Sequence, residues 1–178
     1  MQKQNQNLPT PAATSGTRPA DLRVLLLGLG NDILSDDAVG LKVARAIQPR
    51  LSKSDGIEVR ETCEMGLALL DYIVGFDRLV LVDAMQTGRM PPGFLHEFDS
   101  DDLRVLPAVS PHFLGIGEML ALGRKLGLPV PRRVKVFAVE VQDPFTVGTS
   151  MTPALQQALA AVVARVLAAT RRLSRDRQ

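Results

Sequence analysis

Residues 22–48 read LRVLLLGLGNDILSDDAVGLKVARAIQ, and this stretch decides the fold. Leu22 to Gly28 is almost continuously apolar, as a strand covered by helices on both faces must be. After a polar turn, Asp36 to Gln48 carries Val39, Val43 and Ile47 at helical spacing, one apolar stripe along a helix. Asp36 and Asp37 stand at its start, where the helix dipole favours negative charge. A buried strand that feeds an amphipathic helix is the first half of a βαβ unit, and the alternation continues down the chain.

Ile57 to Thr62 is a second, shorter strand, Leu67 to Val74 a short helix, and Arg78 to Ala84 (RLVLVDA) a third buried strand that ends in an acid. Pro91, Pro92 and Gly93 mark a turn before an edge strand, Phe94 to Phe98, and an acidic loop at Asp99, Asp101 and Asp102. Ser110-Pro111 opens a further helix, with Ser as N-cap and Pro in the first turn, running to Leu126 before Gly127 stops it. Val134 to Val139 is another strand. Thr152-Pro153 repeats the cap-and-proline start for a closing helix whose stripe is Leu155, Leu159, Val162, Val163, Val166 and Leu167, with Arg171 and Arg172 at the negative end of its dipole. The predicted fold is α/β: a three-layer, mostly parallel twisted sheet of about five strands, helices on both faces, and one antiparallel edge strand.

The chain has 178 residues, 46% of them hydrophobic, and no uninterrupted apolar run of membrane-spanning length. Residues 1–20 are polar and rich in Pro, Thr and Gln, without the apolar segment of a secretory signal, and are expected to be a disordered arm. Residues 21–172 form one expected α/β domain and 173–178 a basic tail. Cys63 is the only cysteine, so it can form neither an intramolecular bridge nor a thiolate metal site by itself; a reducing, cytoplasmic setting is expected. Of the net charge of +2, the two ends carry more than all: residues 1–20 and 171–178 hold six basic residues and one acid, leaving the remainder at −3. A folded body of that sign, with no Trp and one Tyr, offers neither a basic groove nor stacking platforms, so nucleic acid is not an expected partner, nor is a membrane.

In an open parallel sheet, ligands bind beyond the carboxyl ends of the strands. Three groups of polar residues fall there. Asp36 and Asp37 follow the first strand through Gly30-Asn31-Asp32-Ile33-Leu34-Ser35; Asp83 closes an apolar strand that gives no packing reason for a carboxylate; His112 lies in the first turn of the helix opened by Ser110-Pro111. The dipole there disfavours imidazolium and leaves a ring nitrogen able to bind metal. Two carboxylates and an imidazole at one edge would make a partial coordination shell with open positions for a borderline divalent ion. Taken singly, each has a plainer reading: Asp36 and Asp37 as capping residues, Asp83 as a turn former, His112 as a surface histidine.

Other candidates are weaker. Gly28-Leu29-Gly30 follows a strand as a dinucleotide loop would, but the third glycine position is Ile33, and no P-loop lysine pattern occurs. The charges of Glu61 and Glu64 disfavour a thiolate at Cys63, which is expected to be a small buried residue. His96 on the edge strand is expected to be solvated. There is no G-x-S-x-G elbow and no H-E-x-x-H helix.

Leu27-Gly28-Leu29-Gly30-Asn31, Ser35-Asp36-Asp37-Ala38-Val39-Gly40, Val82-Asp83-Ala84 and Ser110-Pro111-His112 together resemble, in order and spacing, the hydrogenase maturation protease family, over residues 23 to 165. The resemblance implies a cytoplasmic endopeptidase that removes a short C-terminal extension from the large subunit of a nickel-iron hydrogenase after nickel insertion. It places the family's nickel-contacting residues on Asp37, Asp83 and His112, with nickel brought by the substrate rather than held permanently. The partner implied is the precursor large subunit; a monomer is the working expectation. Two departures stand out: the family more often has Glu where Asp37 stands, and many members have Asp-Gly-Gly-Thr where this chain has Glu61-Thr62-Cys63-Glu64, which implies an altered substrate subtype. Asn31 and the Gly30 backbone are further candidates for positioning the peptide, with turn chemistry as the plain alternative. The competing functions are a metal-dependent hydrolase with a resident ion, a nickel-sensing or nickel-delivery module that cuts nothing, and a nucleotide-binding regulator built on Gly28 to Gly30.

Overall fold

A computed structural model describes residues 22–99 and 116–176. Five strands form one sheet in the order β2-β1-β3-β5-β4. They are β1 (Val24–Leu29), β2 (Ile57–Thr62), β3 (Arg78–Met85), β4 (Leu95–Asp99) and β5 (Arg133–Glu140). β1 pairs in parallel with β2 and β3, β3 with β5, and β4 runs antiparallel to β5 at the edge. The helices are α1 (Val39–Ile47), α2 (Leu70–Ile73), α3 (Ile116–Lys125) and α4 (Pro153–Arg175). This is the three-layer, mostly parallel sheet with an antiparallel edge that the sequence predicts.

The pattern of burial explains the layers. β1 and β3 are buried at every position, so both faces must be covered. On one face Leu25, Leu27, Leu29, Leu79, Leu81 and Met85 pack with residues of α2 and α3. On the other, Leu26, Val80, Val82, Phe137 and Val139 pack with α1 and α4. α4 is the one helix among the described residues long and apolar enough to cross a membrane by length and composition alone, yet its stripe of Leu155, Val162, Val163 and Val166 lies in this core.

Several boundaries differ from expectation for identifiable reasons. The helix predicted from Asp36 starts as a 3-10 turn, Asp36–Ala38, and ends as another, Gln48–Arg50, because Pro49 cannot continue an α-helix interior. β3 runs on to Met85, so Asp83 does not end the strand but lies two residues inside it. The start predicted at Ser110-Pro111 lies outside the described residues; the helix is observed from Ile116, and Gly127 takes a left-handed φ of 71° just beyond its end. Thr152 precedes α4 as predicted, but its hydroxyl does not cap the helix; it donates to Asp36 instead.

Candidate active site

The sheet order creates one place where chain connections leave in opposite directions. From β1 the chain passes to α1 and outward to β2; from β3 it passes away toward β5 and β4. Strands that part in this way leave a crevice at their carboxyl ends. Asp37 follows β1 and Asp83 lies near the end of β3, so both acids flank this crevice. The Asp36–Ala38 turn packs against β3. Asp83 alternates with Leu81 and Met85 and so projects to the α3 side of the sheet, fully buried; its Oδ1 accepts the Ala84 N–H at 2.8 Å. Asp37 is half-buried. His112, the third predicted member, lies outside the described residues.

Glycines make the crevice this tight. A Cβ on Gly28 would lie 2.3 Å from the Gly40 carbonyl oxygen, and one on Gly40 would lie 2.2 Å from that of Leu29 and 2.3 Å from that of Val82. The start of α1 therefore rests directly on the ends of β1 and β3. Gly30, with φ 143°, has the same role toward the acid: a Cβ there would lie 2.1 Å from the Asp37 carbonyl oxygen. The Gly28-Leu29-Gly30 signal, which resembles half of a phosphate loop, is thus accounted for by helix–strand contact. Asn31 shows turn chemistry, its Oδ1 accepting the Ile33 N–H at 3.2 Å.

The adjacent acids have separate roles. Asp36 is fully buried, and its carboxylate accepts from the Thr152 N–H (2.7 Å), the Thr152 hydroxyl (3.0 Å) and the N–H groups of Asp143 (3.0 Å) and Gln142 (3.1 Å). It ties the β1 loop to the segment after β5, which goes well beyond complementing a helix dipole. Asp32 forms a two-pronged pair with Arg45 (2.9 and 2.6 Å), which also binds Glu61 on β2. That hydrogen-bonded guanidinium holds Asp32 below the usual carboxylate range.

Sequence reading missed a third acid. Glu140, buried at the end of β5, accepts from the Thr87 N–H (2.8 Å), the Gly88 N–H (2.8 Å), the Thr87 hydroxyl and His96 Nε2 (2.8 Å). Burial pushes this carboxyl up, but the bonds from His96, Thr87 and Gly88 outweigh it and hold the group below the ordinary glutamate range. His96 is accordingly not solvated as expected: it is half-buried between Phe94 and Phe98 and bound to Glu140. The alternation of β4 would have placed His96 on one face, but nothing local identifies a partner 44 residues away.

Cys63 is another correction. It is exposed, because it follows β2 at the rim where no layer covers it. Glu61-Thr62-Cys63-Glu64, the end of β2 and the start of the loop after it, needs no left-handed residue; among residues 61–66 only Gly66 has a positive φ, 60°. A cleft of about 500 Å³ opens beside it, lined by Arg60, Glu64, Ala68, Asp71 and Tyr72. It shares no residue with the crevice, and Arg60 there is committed to Glu58, the Tyr72 carbonyl and the Phe76 ring.

Fold and crevice together define an open α/β class with acids near a sheet switch point, and comparison with known proteins gives the family. The description Hydrogenase maturation protease matches residues 41–169. The chain is 30% identical over 150 residues to the Hydrogenase 2 maturation protease of Escherichia coli, covering 79% of this chain and 91% of that one. It is 28% identical over 151 residues to the hydrogenase expression/formation protein HupD of Thiocapsa roseopersicina, covering 83% and 67%. Its structure superimposes on the hydrogenase maturating endopeptidase HybD from E. coli with a TM-score of 0.74 at 26% identity, covering 85% of this chain and 94% of that one. A [NiFe] hydrogenase maturation protease from Thermococcus kodakarensis shares the fold, with a TM-score of 0.63 at 23% identity and coverage of 86% and 99%. The chain belongs to the hydrogenase maturation protease family.

Proposed function

We propose that this protease removes a short C-terminal extension from the precursor large subunit of a nickel-iron hydrogenase, in the cytoplasm, and that it does so by reading the nickel the precursor carries. What supports this most is the placement of Asp37 just after β1 and of Asp83 near the end of β3, the two strands that part at the crevice. Carboxylate and imidazole donors suit a borderline divalent ion, and a carboxylate withdrawn from water, as Asp83 is, gains more from meeting a cation than an exposed one does.

His112 completes the proposed set. α3 ends beside the amino edge of the sheet, where the Arg132 N–H donates to the Asp77 carbonyl and the Gly75 N–H to that of Pro129. Its first residue, Ile116, is thereby directed toward the opposite rim and packs in the core layer of the face onto which Asp83 projects. Nickel enters as part of the substrate, and the chain's own groups supply an incomplete shell that only a metal-loaded precursor satisfies. A bound metal polarises a neighbouring carbonyl or water.

The test is incubation with a nickel-loaded precursor and mass measurement of its C-terminus. Wild type is expected to produce the loss of a short peptide. Asp37→Asn, Asp83→Asn and His112→Ala are each expected to abolish that loss while leaving the circular dichroism spectrum unchanged; normal processing by all three would remove the assigned site.

A further inference from the structure

The rim beside Asp37 carries a feature that the crevice does not use. Residues 31–35 and 143–148 run side by side as a short ladder: Leu34 bridges Val147, the Gly148 N–H donates to the Ile33 carbonyl (2.9 Å), and the Ser35 N–H donates to that of Thr146 (3.0 Å). The Ser35 hydroxyl reaches the Ser150 carbonyl (2.9 Å), and the Asp36 carboxylate holds the base from below. Asp143 closes the turn by accepting the N–H groups of Phe145 and Thr146.

On this fixed backbone Phe145, 74% exposed, and Val147, 78%, face water, whereas Ile33, 60% exposed, precedes Leu34, the bridge partner of Val147, and so turns to the other side of the ladder. A loose loop could fold such groups inward, but the ladder holds them out. Two nearby acids are paired within the chain, Asp32 with Arg45 and Asp143 with its own turn. A preorganised apolar patch of this kind has the character of a protein-binding surface.

We propose that Phe145 and Val147 form a ledge on which the folded body of the large-subunit precursor docks, separately from the segment that enters the crevice. This rests on the reading above that such a precursor is the substrate. The occupant follows from continuity: Val147 is bridged to Leu34, three positions before Asp37, so a protein that presents a segment to Asp37 lies over the ledge. A second copy of this chain seated there would obstruct the crevice.

The experiment reads affinity and cleavage separately, with the nickel-loaded precursor as probe. The double variant Phe145→Ser/Val147→Ser is expected to weaken binding to immobilised precursor and to raise KM by about tenfold or more, with kcat and Tm nearly unchanged. Leu126→Ser is the control; it removes an equally exposed apolar residue just beyond the end of α3, remote from the ledge, and should change neither. Equal Kd and KM for wild type and double variant would overturn the ledge. So would sedimentation showing a wild-type dimer that the double variant dissolves. Precursor that binds wild type but not the double variant, and is never cut, would keep the ledge and refute the proteolytic reading.

Discussion

The two ends of the sheet treat charge in opposite ways. At the amino end, arginines close the structure: Arg23 donates its N–H to Asp77 (2.8 Å) and lays its guanidinium over Phe76, buried Arg78 donates to the Leu173 carbonyl near the end of α4, and Arg133 pairs with Asp176 (2.8 Å). At the carboxyl end the prominent buried and half-buried groups are acids. Two of them, Asp36 and Glu140, are saturated with donors from their own chain and fix the loops after β5 and β3. The other two, Asp37 and Asp83, flank the crevice. The contrast separates acids that build the rim from acids proposed to work there, and it can be broken at either kind of position.

The largest structural effect is expected at Gly40. Its replacement by Ala would drive a methyl group into the carbonyls of Leu29 and Val82, both backbone atoms that cannot swing away, and should lift α1 from the sheet. A loss of about 3 kcal/mol in denaturant unfolding, with processing reduced as Asp37 shifts, is the expected outcome. Unchanged stability would mean that the helix start does not rest on the strand ends as described.

A smaller effect is expected at Glu140. Glu140→Gln keeps the shape and can keep an oxygen on the N–H groups of Thr87 and Gly88. It removes the charge that strengthens those bonds and turns an NH2 donor toward the Thr87 hydroxyl and His96 Nε2, at a cost of about 2 kcal/mol at neutral pH. Because the folded carboxyl is held below its ordinary value, its contribution is complete above that value, 4.5, and is lost as pH falls through the lower folded one. Unfolding curves of wild type and variant should therefore converge on acidification below about pH 4.5 and stay apart above it. A gap that persists at low pH would show that the ionised carboxylate is not the source of the stability.

Much of this was legible in sequence, because buried strands and amphipathic helices announce themselves over short windows. β2 falls on its predicted residues, β1, β3 and β5 lie within a residue or two of theirs, and α4 starts at the predicted Pro153 but runs three residues past Arg172, into the expected tail. The antiparallel edge strand was legible too, from the Pro91-Pro92-Gly93 turn before it. The rim's construction was not. Asp36 finds Thr152 across 116 positions and Glu140 finds His96 across 44, and no local pattern encodes such partners. Cys63 was misplaced because a small residue between acids gives no sign of whether a layer will cover it. Alternation did carry one further message, that Asp83 shares a face with Leu81 and Met85 and hence the side on which α3 lies.

The most direct test of the central claim compares one precursor in two states. Wild-type protein is incubated with large-subunit precursor purified with nickel and with the same precursor purified without it, and the C-terminal mass is followed over time. Removal of the extension is expected from the nickel-loaded form alone. Equal rates of removal from both forms would contradict it, since the acids of the crevice would then have no metal to read.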